Sequence, residues 1–321
     1  MLDREVRRRL ESLSQLPTIP VVIADVLRAV ENTDLSAAAL ATLIERDQTL
    51  TARVLAVANS PFYGFSRRIS TIDLAVVVLG LNSLKEILMS LVIQRFFHKV
   101  RRDIFDTNAF WKYSVFSGAC CRVLARRLGY RLVGEAFVAG LMHDIGILII
   151  VEFFSKEFLN IRNIQYSSGY SLLDSERIIL HSTHCDIGAW LAEKWNLPTQ
   201  LCDAIRFHHT PFIEVLRSYE KEKNTELKKN PKLLTSEISN LKDETPVEQP
   251  LTTIVAMSEW FAHETGLKDW ALERSKTSPL YMAGELLDEM RQHDVLNPES
   301  AIEALKQEIL EEYRRAGLFI Q

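Results

Sequence analysis

Glycine and proline are scarce, 12 and 10 in 321 residues, where average usage of the two together is about 12%. So few turn formers argue against turn-dense β-sandwiches and barrels and leave helices as the default. The four cysteines, Cys120, Cys121, Cys185 and Cys202, have no C-x-x-C spacing. In a reducing compartment they stay thiols, read here as small buried hydrophobes. Basic charge is not in excess: 38 Lys and Arg against 42 Asp and Glu give a net charge of -4. Such a chain has no global field to hold a phosphate backbone, which argues against nucleic acid as a partner. The apolar runs Leu74 to Leu81 and Ile145 to Val151 are far shorter than the roughly 20 residues of a membrane span. The charged stretch Leu2 to Glu11 lacks the apolar core of a signal peptide. A cytoplasmic protein with no membrane contact is expected.

What is present is the balance of a globular protein able to bury a sizeable core, with 47% hydrophobic and 25% charged residues. Apolar positions recur at helical spacing along most of the chain. Val21, Val22, Val26, Leu27 and Val30 mark one stripe after Pro17 and Pro20 break a first charged helix; Leu40, Leu43 and Ile44 mark the next. Asp47 is placed to cap a helix carrying Leu50, Val54, Leu55 and Ala58, with Asn59 closing it in the left-handed conformation and Pro61 preventing continuation. Further helices are expected from Thr71 across Gly80 toward Phe97, over Phe110 to Leu128, Gly134 to Phe154, Ser171 to Trp195, Pro198 to His208, Leu251 to His263 and Pro298 to Arg315. Charge crowds together between Glu220 and Pro250, which reads as a solvated loop. No period-two alternation persists, so the expected class is all-α. Two units are expected: an N-terminal helical bundle over 1–100, and a second bundle over 101–321 that includes the charged loop at 220–250.

Seven of the eight histidines lie in the second unit. His143-Asp144 sits inside an apolar stretch, Gly140 to Gly146, where an imidazole and a carboxylate are costly to bury unless paired or bound to a metal. His184 follows in His181-Ser-Thr-His184-Cys-Asp-Ile-Gly188, then His208-His209. Imidazole with carboxylate suits iron, zinc, manganese or nickel, and a carboxylate can bridge two ions. Each element alone has a plainer reading: a hydrogen-bonded pair at a helix end, or histidines favourable to a helix C-terminus. His181 and His184 share a helix face, yet His181 has no further partner and is read as a surface residue.

The order His-Asp, His, His-His resembles the HD superfamily of metal-dependent phosphohydrolases. The succession Leu16-Pro-Thr-Ile-Pro20, Ile44 to Gly64 with its Asn59-Ser60-Pro61-Phe-Tyr63-Gly64 ending, Ile69 to Ile72 and Leu79-Gly80 is similar to the HDOD family, an HD-related output domain of bacterial signalling proteins. The likeness covers about residues 12–265. It implies an N-terminal bundle packed on a degenerate HD-like bundle. In two-metal relatives one ion is held by a first His, the His-Asp pair and a final Asp; the other is held by the bridging Asp, a third His and the His-His pair. Here Tyr113 stands at the first His, Glu259 at the final Asp, and Ile147 where hydrolytic relatives carry Lys. The second site is intact as Asp144, His184, His208 and His209.

The resemblance therefore implies metal ligands among His143, Asp144, His184, His208 and His209, one transition ion (iron, manganese, nickel or zinc), and no catalytic residue. The expected function is regulation through a signalling protein partner or a small ligand such as a cyclic dinucleotide. The alternative is a metal-dependent phosphohydrolase or phosphodiesterase with a reduced metal site.

Overall fold

The computed structural model describes residues 2–13, 19–20, 23, 25–26, 37–65, 67–97, 100, 103–209, 250–267 and 298–319. Among the described residues every regular element is helical and none is a strand, as the periodicity predicts. In chain order the helices are α1 (Arg4–Glu11), α2 (Ala37–Glu45), α3 (Gln48–Ala58), α4 (Ile72–Phe97), α5 (Thr107–Arg127), α6 (Val133–Met142) and α7 (Ile145–Phe153). They continue with α8 (Ser155–Ser168), α9 (Leu172–Leu180), α10 (His184–Lys194), α11 (Thr199–Phe207), α12 (Pro250–Glu264) and α13 (Pro298–Arg315), with a closing 3-10 turn at Ala316–Phe319. The stretch from 210 to 249, and with it nearly all of the expected charged loop, lies outside the described residues, as does most of the Val21 to Val30 stripe.

Local chemistry accounts for several boundaries. Asp47 caps α3 as expected, its carboxylate accepting the Leu50 amide at 3.0 Å. Asn59 does not close that helix in the left-handed region; its φ and ψ are -86° and 3°. Instead its side chain locks the following loop, donating to the Leu55 and Ile69 carbonyls and accepting from the Ile69 amide. Those three bonds require the amide side chain and need no positive φ. Gly80, at φ 75° and ψ 166°, breaks α4 where the sequence shows a glycine amid helix formers.

The core is built around α6 and α7. Residues 136 to 151 are buried without exception, the pattern of a helix pair that is apolar all round because it is enclosed. Helices α4, α5, α11 and α12 pack on α6, while α8 and α10 pack on α7. Val133 to Phe153 is long and apolar enough to pass as a membrane span, contrary to the expectation that no run is, but 89% of that window is buried inside the fold. The expected single helix over Gly134 to Phe154 is two, interrupted at His143 and Asp144. The expected helix over Ser171 to Trp195 is also two. His181 adopts φ 52°, and Thr183 starts α10 with a capping box to Asp186.

A buried ionic network ties α4, α5 and α13 together. Arg122 Nη1 lies 2.5 Å from Glu86 Oε1 and its Nε 3.3 Å from Glu312 Oε1, while Arg126 reaches Glu312 at 2.8 Å. The Arg122 guanidinium also stacks over the Phe62 ring at 4.2 Å.

Candidate metal centre

Three helix junctions converge. The break between α6 and α7 supplies His143 and Asp144, the start of α10 supplies His184, and the end of α11 supplies His208 and His209. Their approach depends on a missing side chain. A Cβ on Gly146 would meet the His184 carbonyl oxygen at 1.9 Å and the Gly188 amide at 2.8 Å, so glycine alone lets α7 abut the first turn of α10. Asp144 occupies the N-cap position of α7 but makes no capping bond. Its carboxylate turns into the histidine cluster.

There it bridges two sets of donors. Oδ1 lies 3.1 Å from His184 Nε2 and 3.2 Å from His208 Nε2. Oδ2 lies 3.3 Å from His143 Nε2. His209 Nε2 is 3.1 Å from His184 Nε2. All five residues singled out in the sequence thus meet in one place. His181 lies exposed and outside it, at the turn between α9 and α10, so it shares no helix face with His184.

The imidazoles are oriented from behind. His143 Nδ1 donates to the Gly140 carbonyl and His208 Nδ1 to the Ile205 carbonyl, each at 2.7 Å. His184 Nδ1 contacts Glu176 at 2.8 Å and His209 Nδ1 contacts Glu259 at 3.2 Å. A carbonyl or carboxylate only accepts, so in His143, His184 and His208 Nδ1 carries the hydrogen and the Nε2 lone pair faces inward, the arrangement of metal-binding histidines. Inward lone pairs facing one another and a carboxylate call for a cation, either a proton or a metal ion. Burial opposes the charged imidazole, yet nearby Asp144 raises the pKa of His143. Against the same burial, Cys185 and Asp144 bring His208 up to about 10. Asp144 itself, though burial works against it, is held well below the carboxylate range by His143 and His184.

The first site is filled by the protein's own oxygen. The Tyr113 hydroxyl sits 2.7 Å from His143 Nε2, 3.1 Å from Asp144 Oδ2 and 3.2 Å from Glu259 Oε1. Two groups of donor atoms, each within 4.8 Å, have the composition of a metal site: His143, Asp144, His208 and Glu259; and His184, Cys185, His208 and His209. The donors fit a transition ion best in the second group, where no phenol intrudes.

Sequence reading missed two contributors. Glu176 bonds both the amide and Nδ1 of His184; it lies in an amphipathic helix where a glutamate carries no special signal. Cys185, read as a small buried hydrophobe, is indeed buried, but its Sγ lies 3.5 Å from His184 Nε2 and 4.0 Å from His208 Nε2. Burial raises its pKa, and the two histidines overcome that and lower it to about 7. Adjacency to His184 was the available signal.

Comparison with known proteins gives a consistent result. The HDOD domain profile matches residues 16–211. A protein of Treponema pallidum (strain Nichols) is 26% identical over 200 residues, which cover 62% of this chain and 38% of that protein, so the match spans well under half of the relative's length. The fold is similar to that of an HDOD domain protein of Geobacter sulfurreducens, with a TM-score of 0.62 and 23% identity over 95% of this chain and 96% of that one. It is equally similar to a protein of Marinobacter aquaeolei VT8 provisionally named for signal transduction, with a TM-score of 0.62 and 21% identity over 100% of this chain and 67% of that one. At these identities the structural likeness speaks for the fold alone.

Proposed function

The chain belongs to the HDOD domain family, and from that premise we propose that it is a non-hydrolysing signalling module that acts through a protein partner or a small ligand and carries one transition ion. The observation that carries this reading is the Tyr113 hydroxyl, bonded to His143, Asp144 and Glu259 where a first ion would lie. Two-metal hydrolysis clamps both the attacking and the leaving oxygen, and a phenol at one of the two positions removes half of that clamp. Asp144, His184, His208 and His209 would hold the remaining ion. When bound, such an ion supplies positive charge for an anionic group. The Tyr113 hydroxyl, with a single hydrogen to donate, takes up the space among His143, Asp144 and Glu259, and Glu176 fixes the His184 ring.

The test is metal content and turnover together, on the full chain. About one transition ion per chain is expected, lost in Asp144→Ala and in His208→Ala, with no hydrolysis of simple phosphodiesters or cyclic dinucleotides in added manganese or iron. Robust turnover abolished by Asp144→Ala would overturn the proposal in favour of a phosphodiesterase.

A further inference from the structure

The second site holds one more donor than the family resemblance supplies. Cys185 is the second residue of α10, next to His184. Its Sγ falls in a four-membered group with His184, His208 and His209 whose ligand atoms all lie within 4.8 Å of one another. We infer that Cys185 is a metal ligand and that the second site is a closed zinc centre of one cysteine and three histidines. This rests on the proposal that the second site binds an ion; it gives the fourth ligand position to Cys185 in place of Asp144, which then stands beside the ion.

The distances suit that assignment. Zinc binds imidazole nitrogen at about 2.0–2.1 Å and thiolate sulfur at about 2.3 Å. A tetrahedron with those bonds has nitrogens about 3.3 Å apart and sulfur about 3.6 Å from each nitrogen. The protein places His184 Nε2 and His209 Nε2 3.1 Å apart, and Cys185 Sγ 3.5 and 4.0 Å from His184 Nε2 and His208 Nε2. For these three pairs, shifts of a few tenths of an ångström reach the tetrahedral spacings, and all four ligand atoms lie within 4.8 Å of one another. The donor chemistry points the same way, because thiolate with imidazole favours zinc over the oxygen-seeking manganese and magnesium.

Closure changes what the ion does. Four protein ligands leave no position for a water, the mark of a structural zinc rather than a hydrolytic one. A thiolate leaves one net positive charge on the ion, and Asp144, whose Oδ1 lies 3.1 Å from His184 Nε2 and 3.2 Å from His208 Nε2, offsets it from alongside. Because two ligands come from the start of α10 and two from the end of α11, the zinc clamps these helices to each other.

Cobalt(II) substituted into the full chain reads the donor set directly. One cobalt per chain is expected, with tetrahedral visible bands and a near-ultraviolet thiolate-to-cobalt charge-transfer band. Cys185→Ser should lose the charge-transfer band and weaken zinc binding at least about tenfold, while Cys202→Ser keeps both. Cys120→Ser and Cys121→Ser, which remove the two thiols of α5, should likewise keep both, and with Cys202→Ser they make the wild-type spectrum decisive even where Cys185→Ser does not fold. Cobalt bound without the charge-transfer band overturns the role of Cys185 and leaves the second-site ion standing. Failure to bind either cobalt or zinc overturns both.

Discussion

Replacing Tyr113 by phenylalanine removes one oxygen, and the structure shows what that oxygen holds together. It lies 2.7, 3.1 and 3.2 Å from His143 Nε2, Asp144 Oδ2 and Glu259 Oε1, on a side chain with no exposed surface. Once it is gone, two carboxylates face an imidazole lone pair 3.3 and 3.5 Å away. A buried acceptor left unsatisfied costs about 1–3 kcal/mol, and more when charged. The metal-free variant should therefore lose about 2–4 kcal/mol of stability. The same three atoms now surround a space with the ligands of a borderline or hard ion, so the variant should bind an ion that the parent refuses. At about a hundred times its dissociation constant, that ion returns about 2.7 kcal/mol. Urea unfolding with and without manganese, alongside elemental analysis, measures both effects. A metal-free variant as stable as the parent, or one whose ion content stays at the parental level in excess manganese, would show that the hydroxyl does not plug a site.

Three other perturbations test the frame around the centre. Gly146→Ala sets a Cβ 1.9 Å from the His184 carbonyl oxygen. Backbone must move, so zinc affinity should fall at least about tenfold and the melting temperature should drop; unchanged affinity would mean that α7 and α10 separate without disturbing the ligands. Burial raises the Glu86 carboxyl from 4.5 to about 7 even though Arg122 pulls it down. Between those pH values the folded chain keeps a proton that the unfolded chain has released, so stability falls as pH rises through this window. At 1.36 kcal/mol per pH unit the contribution is about 3 kcal/mol, and Glu86→Gln should lack that part of the slope in unfolding measured from pH 4.5 to 7. Asp47→Ala should cost about 0.5–2 kcal/mol through loss of the α3 cap, with metal content unchanged; a loss of metal instead would tie α3 to the site.

Much of the helical order is legible because a 3.6-residue period and local caps act within a few positions. Asp47 and its stripe and the ends of α5 and α12 are read from neighbours in sequence. The ligand types are legible for the same reason: His143-Asp144 in an apolar run is costly unless something compensates. Their meeting is not. Asp144 and His208 are 64 positions apart, and the glycine contact between α7 and α10 together with the packing of α11 on α10, α12 and α6 brings them to 3.2 Å. Glu176 is less visible still, since it reaches His184 only through the turn at His181.

One helix end that periodicity missed, at His143, and one that it placed, at His208, both follow from the site itself. Periodicity carries α6 straight through His143, but the Nδ1 of that ring takes the Gly140 carbonyl, the acceptor that the Asp144 amide would need if the helix continued. His208 does the same with Ile205 at the end of α11. A histidine that bonds the carbonyl three residues back gives a partner to one of the helix's last carbonyls and, by the same bond, fixes the tautomer that sends Nε2 toward the cluster. Ligand orientation and helix capping thus share one interaction, and an unbroken amphipathic pattern fails as a guide at the break between α6 and α7.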